Sequence, residues 1–198
     1  MSDSNTPPRD SKPPSFAQPD AKPKRKRRRT KGSKPTGRAE FAGFVRDWSK
    51  QQGLRTPAFH TKLANWLGLR WKQFEQGPHR LLLLAFRGAG KSTLVGLFAA
   101  YMIHKRPDVR ILALSADLAL ARKMVRNVKR IIEAHPRVGN LRPGKPDLWG
   151  AEQFTVKRKA ELRDPTMLAR GIDGNFTGSR ADVVICDDVE VPGNSDTP

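Results

Sequence analysis

Residues 81–93 read LLLLAFRGAGKST, from Leu81 to Thr93. Leu81–Phe86 is wholly apolar and runs straight into a glycine-containing turn, and a second apolar stretch, Leu94–Ile103, follows it. A short apolar run broken at glycine reads as a strand buried on both faces of a parallel sheet. Ser92–His104 then reads as a helix, apolar on most sides and therefore largely buried. Between the two, Ala85–Ser92 (AFRGAGKS) matches the pattern G-x-x-x-x-G-K-[ST] at Gly90, Lys91 and Ser92, with Ala85 in place of the first glycine.

The residue types explain what such a turn does. Gly88 and Gly90 let backbone N–H groups curl around a phosphate with no Cβ in the way. The following helix aims its positive end at the same anion. This Walker A reading takes Arg87, Gly88, Ala89, Gly90, Lys91, Ser92 and Thr93 as the nucleotide-binding residues. Lys91 is expected on the β- and γ-phosphates of ATP, and the Ser92 hydroxyl on Mg2+. The plainer alternative is a tight strand-to-helix turn with a chance lysine; the apolar strand and helix on either side speak against it.

Working outward, the pattern alternates. Phe41, Phe44, Val45 and Trp48 recur at helical spacing, with Gly53 as a stop. Thr56-Pro57 reads as an N-cap and first-turn proline, opening a helix with Phe59, Leu63, Trp66 and Leu67 on one face. Gly77-Pro78 is a break. Arg110–Ser115 is a second strand, and Asp117–Ala134 an amphipathic helix with Ala121, Met124, Val125, Val128, Ile131 and Ile132 on its apolar face. Its basic face (Arg122, Lys123, Arg126, Lys129, Arg130) suits either solvent or DNA. Residues 135–150 form a loop, Gln153–Val156 and Met167–Ile172 short strands of a hairpin, and Asp182–Cys186 (DVVIC) a third parallel strand. Strands alternating with helices define an α/β fold, a mainly parallel sheet flanked by helices.

The strand at Val183–Cys186 ends in Asp187-Asp188 and then Glu190, about 100 residues beyond the glycine turn. Ligands bind at the carboxyl edge of parallel sheets, so a carboxylate delivered there suits a metal site. In this Walker B reading Asp187 is the Mg2+ ligand. Asp188 or Glu190 orients and deprotonates the attacking water. The expected catalytic set is thus Lys91, Asp187, Asp188 and Glu190. An acidic pair after a strand is by itself a common solvated strand end; the glycine turn upstream makes the functional reading the stronger one.

Charge sets the partner class. The 198 residues carry a formal net charge of +19. Residues 1–38 hold 12 Lys and Arg against 3 Asp, a net +9, and the remainder 26 against 16, a net +10. A basic body as well as a basic tail favours a polyanion, with nucleic acid ahead of an acidic surface. Residues 1–35 lack the apolar content for a core and read as a disordered basic tail. Its Lys22–Arg29 block (KPKRKRRR) suits a phosphate-binding arm or an import signal. Cys186, the one cysteine of the sequence, lies in an apolar run where a thiol behaves as a small buried hydrophobe. The apolar runs are too short to span a bilayer and the N-terminus lacks a signal-peptide core, so no membrane partner is expected.

These segments together resemble the ATPase domain of the terminase large subunits of tailed phages, particularly of podophages. The carrying stretches are Ala85–Ser92, Ile111–Ala116 (ILALSA) and Gly171–Glu190 (GIDGNFTGSRADVVICDDVE), continuing to Pro192 and Asn194-Ser195. The likeness covers roughly residues 56–198, and the TGSRAD block is its most diagnostic part. It implies a P-loop NTPase three-layer fold, divided into a tail (1–35), a helical segment (36–80) and an ATPase core (81–198). It also implies Mg2+-dependent ATP hydrolysis driving double-stranded DNA into a procapsid, in the cytoplasm of a bacterial host. A terminase small subunit, a capsid portal and a homo-oligomeric ring are the implied partners.

Residue by residue, the resemblance gives Arg87 the place of the arginine that terminases carry in the loop, a finger acting in cis unless a neighbouring subunit supplies it. Thr177, Gly178, Ser179 and Arg180 would shape the loop beside the nucleotide. Three departures stand out. Relatives carry an Asp-Glu pair where this chain has Asp187-Asp188 with Glu190. The adenine-contacting glutamine has no obvious counterpart, although His60, Gln73 or Gln76 could serve. The nuclease half of a large terminase does not follow Pro198, so the chain resembles a fragment or split frame without nuclease activity. Two other readings stand beside this one: a non-catalytic basic nucleotide- or DNA-binding module, and a helicase-like P-loop ATPase.

Overall fold

The structure is a computed structural model that describes residues 37–77, 79–145, 148–174 and 178–190. The readings placed on residues 1–35, on Thr177 and on Pro192, Asn194 and Ser195 lie outside these residues.

Four helices build most of the core. Helix α1 (Gly37–Gln51) buries Phe41, Phe44, Val45 and Trp48, each no more than 6% exposed. Burying one such side chain contributes roughly 1.5–3 kcal/mol, which is why a short helix with four of them holds its place. The chain leaves α1 through Gly53 at φ +69, in the left-handed region that favours glycine. Helix α2 (Ala58–Gln73) opens on Pro57 and not on Thr56 as the sequence suggested, and no side chain caps it. Its apolar face is only partly covered: Ala64 and Leu67 are buried, whereas Leu63 and Trp66 are half-buried and Phe59 is exposed.

Helix α3 (Lys91–Lys105) follows the glycine turn and is buried along most of its length, including Leu94, Leu97, Ala99, Ala100, Tyr101, Met102 and Ile103. Phe41 of α1 meets the Tyr101 ring at 5.0 Å and the Phe98 ring at 5.1 Å, which fastens α1 to α3. Helix α4 (Leu118–Ala134) starts at Asp117, whose carboxylate accepts a 2.7 Å hydrogen bond from the Leu120 N–H. The whole apolar face expected for α4 is buried.

The sheet has four strands in the order β2-β3-β1-β4: β1 (Ile111–Ser115), β2 (Gln153–Phe154), β3 (Met167–Gly171) and β4 (Val183–Cys186). Strand β1 pairs in parallel with β3, Ile111 opposite Met167, and with β4, Ile111 opposite Val183. The short β2 pairs antiparallel with β3, the expected hairpin. The sheet is therefore mixed, with parallel pairing at its centre, and α4 packs on β1 and β3. No helix among the described residues is long and apolar enough to cross a membrane.

Two further expectations fail. Leu81–Phe86 is not a strand: it runs irregularly, with Leu82 78%, Leu84 80% and Phe86 71% exposed. Strand β4 is the sheet edge on this side, and a cavity of about 360 Å3 separates its residues from Leu81–Leu83. An apolar run supplies the propensity for a strand, but the ladder needs a neighbour within bonding distance. Cys186 is exposed and not buried: with Val184 it sits at an outward-facing position of edge strand β4 that the described residues leave uncovered.

Candidate functional site

The turn between Phe86 and Lys91 has the backbone that its glycines foretold. Gly88 lies at φ +81 and Gly90 at φ +74, both left-handed. Between them Ala89 is buried, and its N–H donates to the Phe86 carbonyl at 3.2 Å. Gly90 is the N-cap of α3, so Lys91, Ser92 and Thr93 form its first turn with N–H groups that the helix itself leaves unsatisfied. The Lys91 ammonium folds back and donates to the Ala85 carbonyl at 3.0 Å, closing the loop on itself.

Two neighbours hold this turn. From α2, the ring Nε2 of His60 bonds the Ala89 carbonyl at 2.7 Å, while Phe59 meets the Phe86 ring at 6.0 Å. From α4, the Asn127 amide donates to the Ser92 carbonyl at 3.1 Å. That amide fits because residue 96 is glycine: a Cβ there would run into the Asn127 side chain. The sequence offered no sign of Asn127, and His60 stood only as an adenine candidate. Both contacts join residues far apart in the chain, which local pattern does not encode. Of the other adenine candidates, the Gln73 side chain accepts from Arg70 at 3.0 Å and its carbonyl bonds the His79 ring, and Gln76 is exposed.

The acidic strand end is fixed to β1 by continuing its register. Asp187 N–H donates to the Leu114 carbonyl, and Ala116 N–H to the Asp188 carbonyl, both at 3.0 Å. Asp188 has φ +50, the one non-glycine in the left-handed region among the described residues. Aspartate tolerates that region better than most residues, at a cost of about 1 kcal/mol or more. Lys91 and Asp187 line the same cavity, together with Val95 and Phe98 of α3, Val183–Cys186 of β4 and Leu81–Leu83. Asp188 and Glu190 are exposed, as are Arg87, Ser92 and Thr93. Among the described residues Arg87 forms no salt bridge.

The block before β4 does structural work. Asp182 accepts from the Arg110 guanidinium through Nε at 3.1 Å and Nη2 at 2.8 Å, and from the Arg110 N–H at 2.9 Å. This fork holds the Asp182 carboxyl below the usual carboxylate range. Gly178 is left-handed at φ +85, Ser179 is exposed, and the Arg180 N–H reaches Asp164 at 3.3 Å. Much of the basic face of α4 is likewise committed. Arg122 pairs with Glu152 at 2.6 Å, Lys129 donates to the Trp149 and Gly150 carbonyls, and Arg130 lies 6.0 Å over the Trp48 ring. Lys123 and Arg126 are exposed.

A helix-flanked mixed sheet, with a left-handed glycine turn opening a buried helix and a carboxylate sharing its cavity, defines an α/β protein. No family model matches the chain. Over 118 residues, 60% of its length, it is 36% identical to the terminase large subunit of Enterobacteria phage T3. That likeness is the one its sequence suggested, and the match spans 20% of the phage T3 protein's length.

Proposed function

We propose that this chain is a P-loop ATPase of the three-layer type, which binds ATP at Arg87–Thr93 and hydrolyses it as part of a viral motor packaging double-stranded DNA. One observation carries the reading: left-handed Gly88 and Gly90 lead into α3 with Lys91 at its first position, in a cavity shared with Asp187. An anion settling on that turn meets the free N–H groups of the α3 first turn and the positive end of the helix. Lys91 exchanges the Ala85 carbonyl for the β- and γ-phosphates. Arg87, with no salt bridge among the described residues, is available to the transferred phosphoryl group.

The donor set suits magnesium. Mg2+ takes one or two protein oxygens and completes its shell with phosphate and water, and the Ser92 hydroxyl and Asp187 carboxylate are of that kind. When bound, the ion neutralises charge on the phosphate oxygens. Asp188 or Glu190 accepts the proton of the attacking water. The net positive charge of +19 supports DNA as the polyanion, and the likeness to a terminase subunit supports packaging as its use. A small terminase subunit, a portal and a ring of like subunits complete the proposed motor, in the host cytoplasm.

A second reading has its own observation. Leu81–Phe86 is unpaired and Asp187 ends an edge strand, so the two halves of the site are not braced by a common ladder. That favours a chain that binds nucleotide or DNA without turnover. Phosphate release from ATP, with and without duplex DNA, decides between them when Lys91→Ala is measured alongside. Turnover lost in Lys91→Ala supports the ATPase. Equal, negligible turnover with retained ATP binding leaves the binding module.

A further inference from the structure

Among the described residues, His60 is the one side chain outside the glycine turn that bonds a carbonyl between its two left-handed glycines. We propose that His60 is a positioning residue for nucleotide binding, which sets the direction of the Gly90 N–H; the inference rests on the phosphate-loop reading above. The Ala89 carbonyl and the Gly90 N–H belong to one trans peptide unit, and they point in opposite directions. His60 Nε2 holds the carbonyl at 2.7 Å, so the N–H is turned away from α2. Among the described residues that N–H has no acceptor: Ala89 bonds back to Phe86, Leu94 bonds to the Gly90 carbonyl, and nothing receives the Gly90 donor. A buried or half-buried donor left without a partner is costly, and an anion on the concave side relieves it.

The ring also guards the position. A Cβ at residue 90 would lie 3.1 Å from both Cε1 and Nε2 of His60, so the ring occupies the space a side chain would need. Phe59, one residue earlier on α2, packs against Phe86 at the other end of the turn. The first turn of α2 therefore touches both ends of the phosphate loop, through a ring contact at Phe86 and a hydrogen bond at Ala89. A histidine that merely filled space would need no alignment with a carbonyl. In this role His60 touches neither phosphate nor metal, and it acts through the backbone.

The test measures ATP affinity by calorimetry for the 198-residue chain, His60→Phe, His60→Gln and Lys91→Ala, with melting temperatures for each. His60→Phe keeps a ring against Phe59 and removes the donor; it is expected to weaken ATP binding by roughly three- to tenfold, the worth of one hydrogen bond. His60→Gln restores an N–H donor and is expected to recover most of that loss. Wild-type affinity in His60→Phe would overturn the proposal, as would equal weakening in the Phe and Gln variants, which would mark the ring's shape and not its hydrogen bond. Absence of ATP binding in the wild-type chain is a separate outcome: it overturns the phosphate-loop reading itself, and the role of His60 with it.

Discussion

Arg110 and Asp182 are joined three times over: by two guanidinium bonds, and by the Arg110 N–H to the same carboxylate. The Asp182 N–H in turn donates to the Arg110 carbonyl at 2.9 Å. The pair thus sets the register in which β4 enters alongside β1, five residues before Asp187 at the acidic strand end. Asp182→Asn keeps the size but loses the charge, and is expected to cost about 1–2 kcal/mol of stability, read from denaturant midpoints. The linkage has a definite sign. The folded carboxyl is held below its unfolded value of 3.8, so the contribution is present above that pH and is lost as pH falls through the lower folded value.

His135 adds to this acid sensitivity at a higher pH. It is 1% exposed and stacked on Phe44 at 3.7 Å. Its Nδ1 accepts from the Arg137 N–H at 3.2 Å, so the ring is neutral and Nε2 is the donor to the Phe44 carbonyl at 3.0 Å. Burial pushes its pKa below 6.5, and nearby Arg137 and His104 push the same way, against Asp47 and the Phe44 carbonyl bond. The unfolded chain therefore takes up a proton that the folded chain refuses. Stability is expected to fall as pH drops below about 6.5, by at most about 1.4 kcal/mol per pH unit for one proton. Urea midpoints between pH 8 and pH 5 check this. His135→Gln should flatten the slope, leaving a remainder from His104, which burial also depresses.

Much of this architecture is legible from local pattern, and the rest fails for a common reason. The apolar face of α4 was readable because period and burial coincide at Ala121, Met124, Val125, Val128, Ile131 and Ile132. The glycine turn was readable because Gly88 and Gly90 are needed for their backbone, and both are left-handed. Leu81–Phe86 misled because its composition is that of a buried strand, while pairing depends on a neighbour that no local window reveals. The same limit hid His60 on Ala89, Asn127 on Ser92 and Arg110 on Asp182, bonds that cross 29, 35 and 72 residues. The acid side of the site, Asp187 at the end of β4, was readable from the strand, but its cavity partners were not.

The unpaired run and the open edge carry a consequence in solution. Leu82, Leu84 and Phe86 are each more than 70% exposed, and Val184 of edge strand β4 is 53% exposed. An apolar edge with free backbone groups is a template for pairing with another chain. The protein is expected to self-associate in a concentration-dependent way, seen by light scattering. Val184→Lys places a charge on the edge and should shift the distribution towards monomer, whereas Lys123→Val, on the exposed face of α4, should not.

The α3–α4 contact below the glycine turn yields a test in which the sign of one substitution depends on another. Alanine in place of a mid-helix glycine ordinarily stabilises by about 1 kcal/mol, because glycine loses more chain entropy on folding. Gly96 is such a position in α3, but a Cβ there meets the Asn127 side chain and lies 3.3 Å from Ile131 Cδ1. Gly96→Ala must therefore push the Asn127 amide off the Ser92 carbonyl, which it now holds at 3.1 Å. The lost hydrogen bond and crowding, together about 1–3 kcal/mol, should outweigh the helix gain and make the single variant less stable. In an Asn127→Ala background the obstruction is gone, and the same change should become neutral or stabilising. A double-mutant cycle on thermal or urea unfolding reads the coupling directly. Additive effects would mean that Asn127 does not hold the first turn of α3. Coupling of the expected sign would fix that turn, and with it Lys91 and Ser92, to the helix packed behind them.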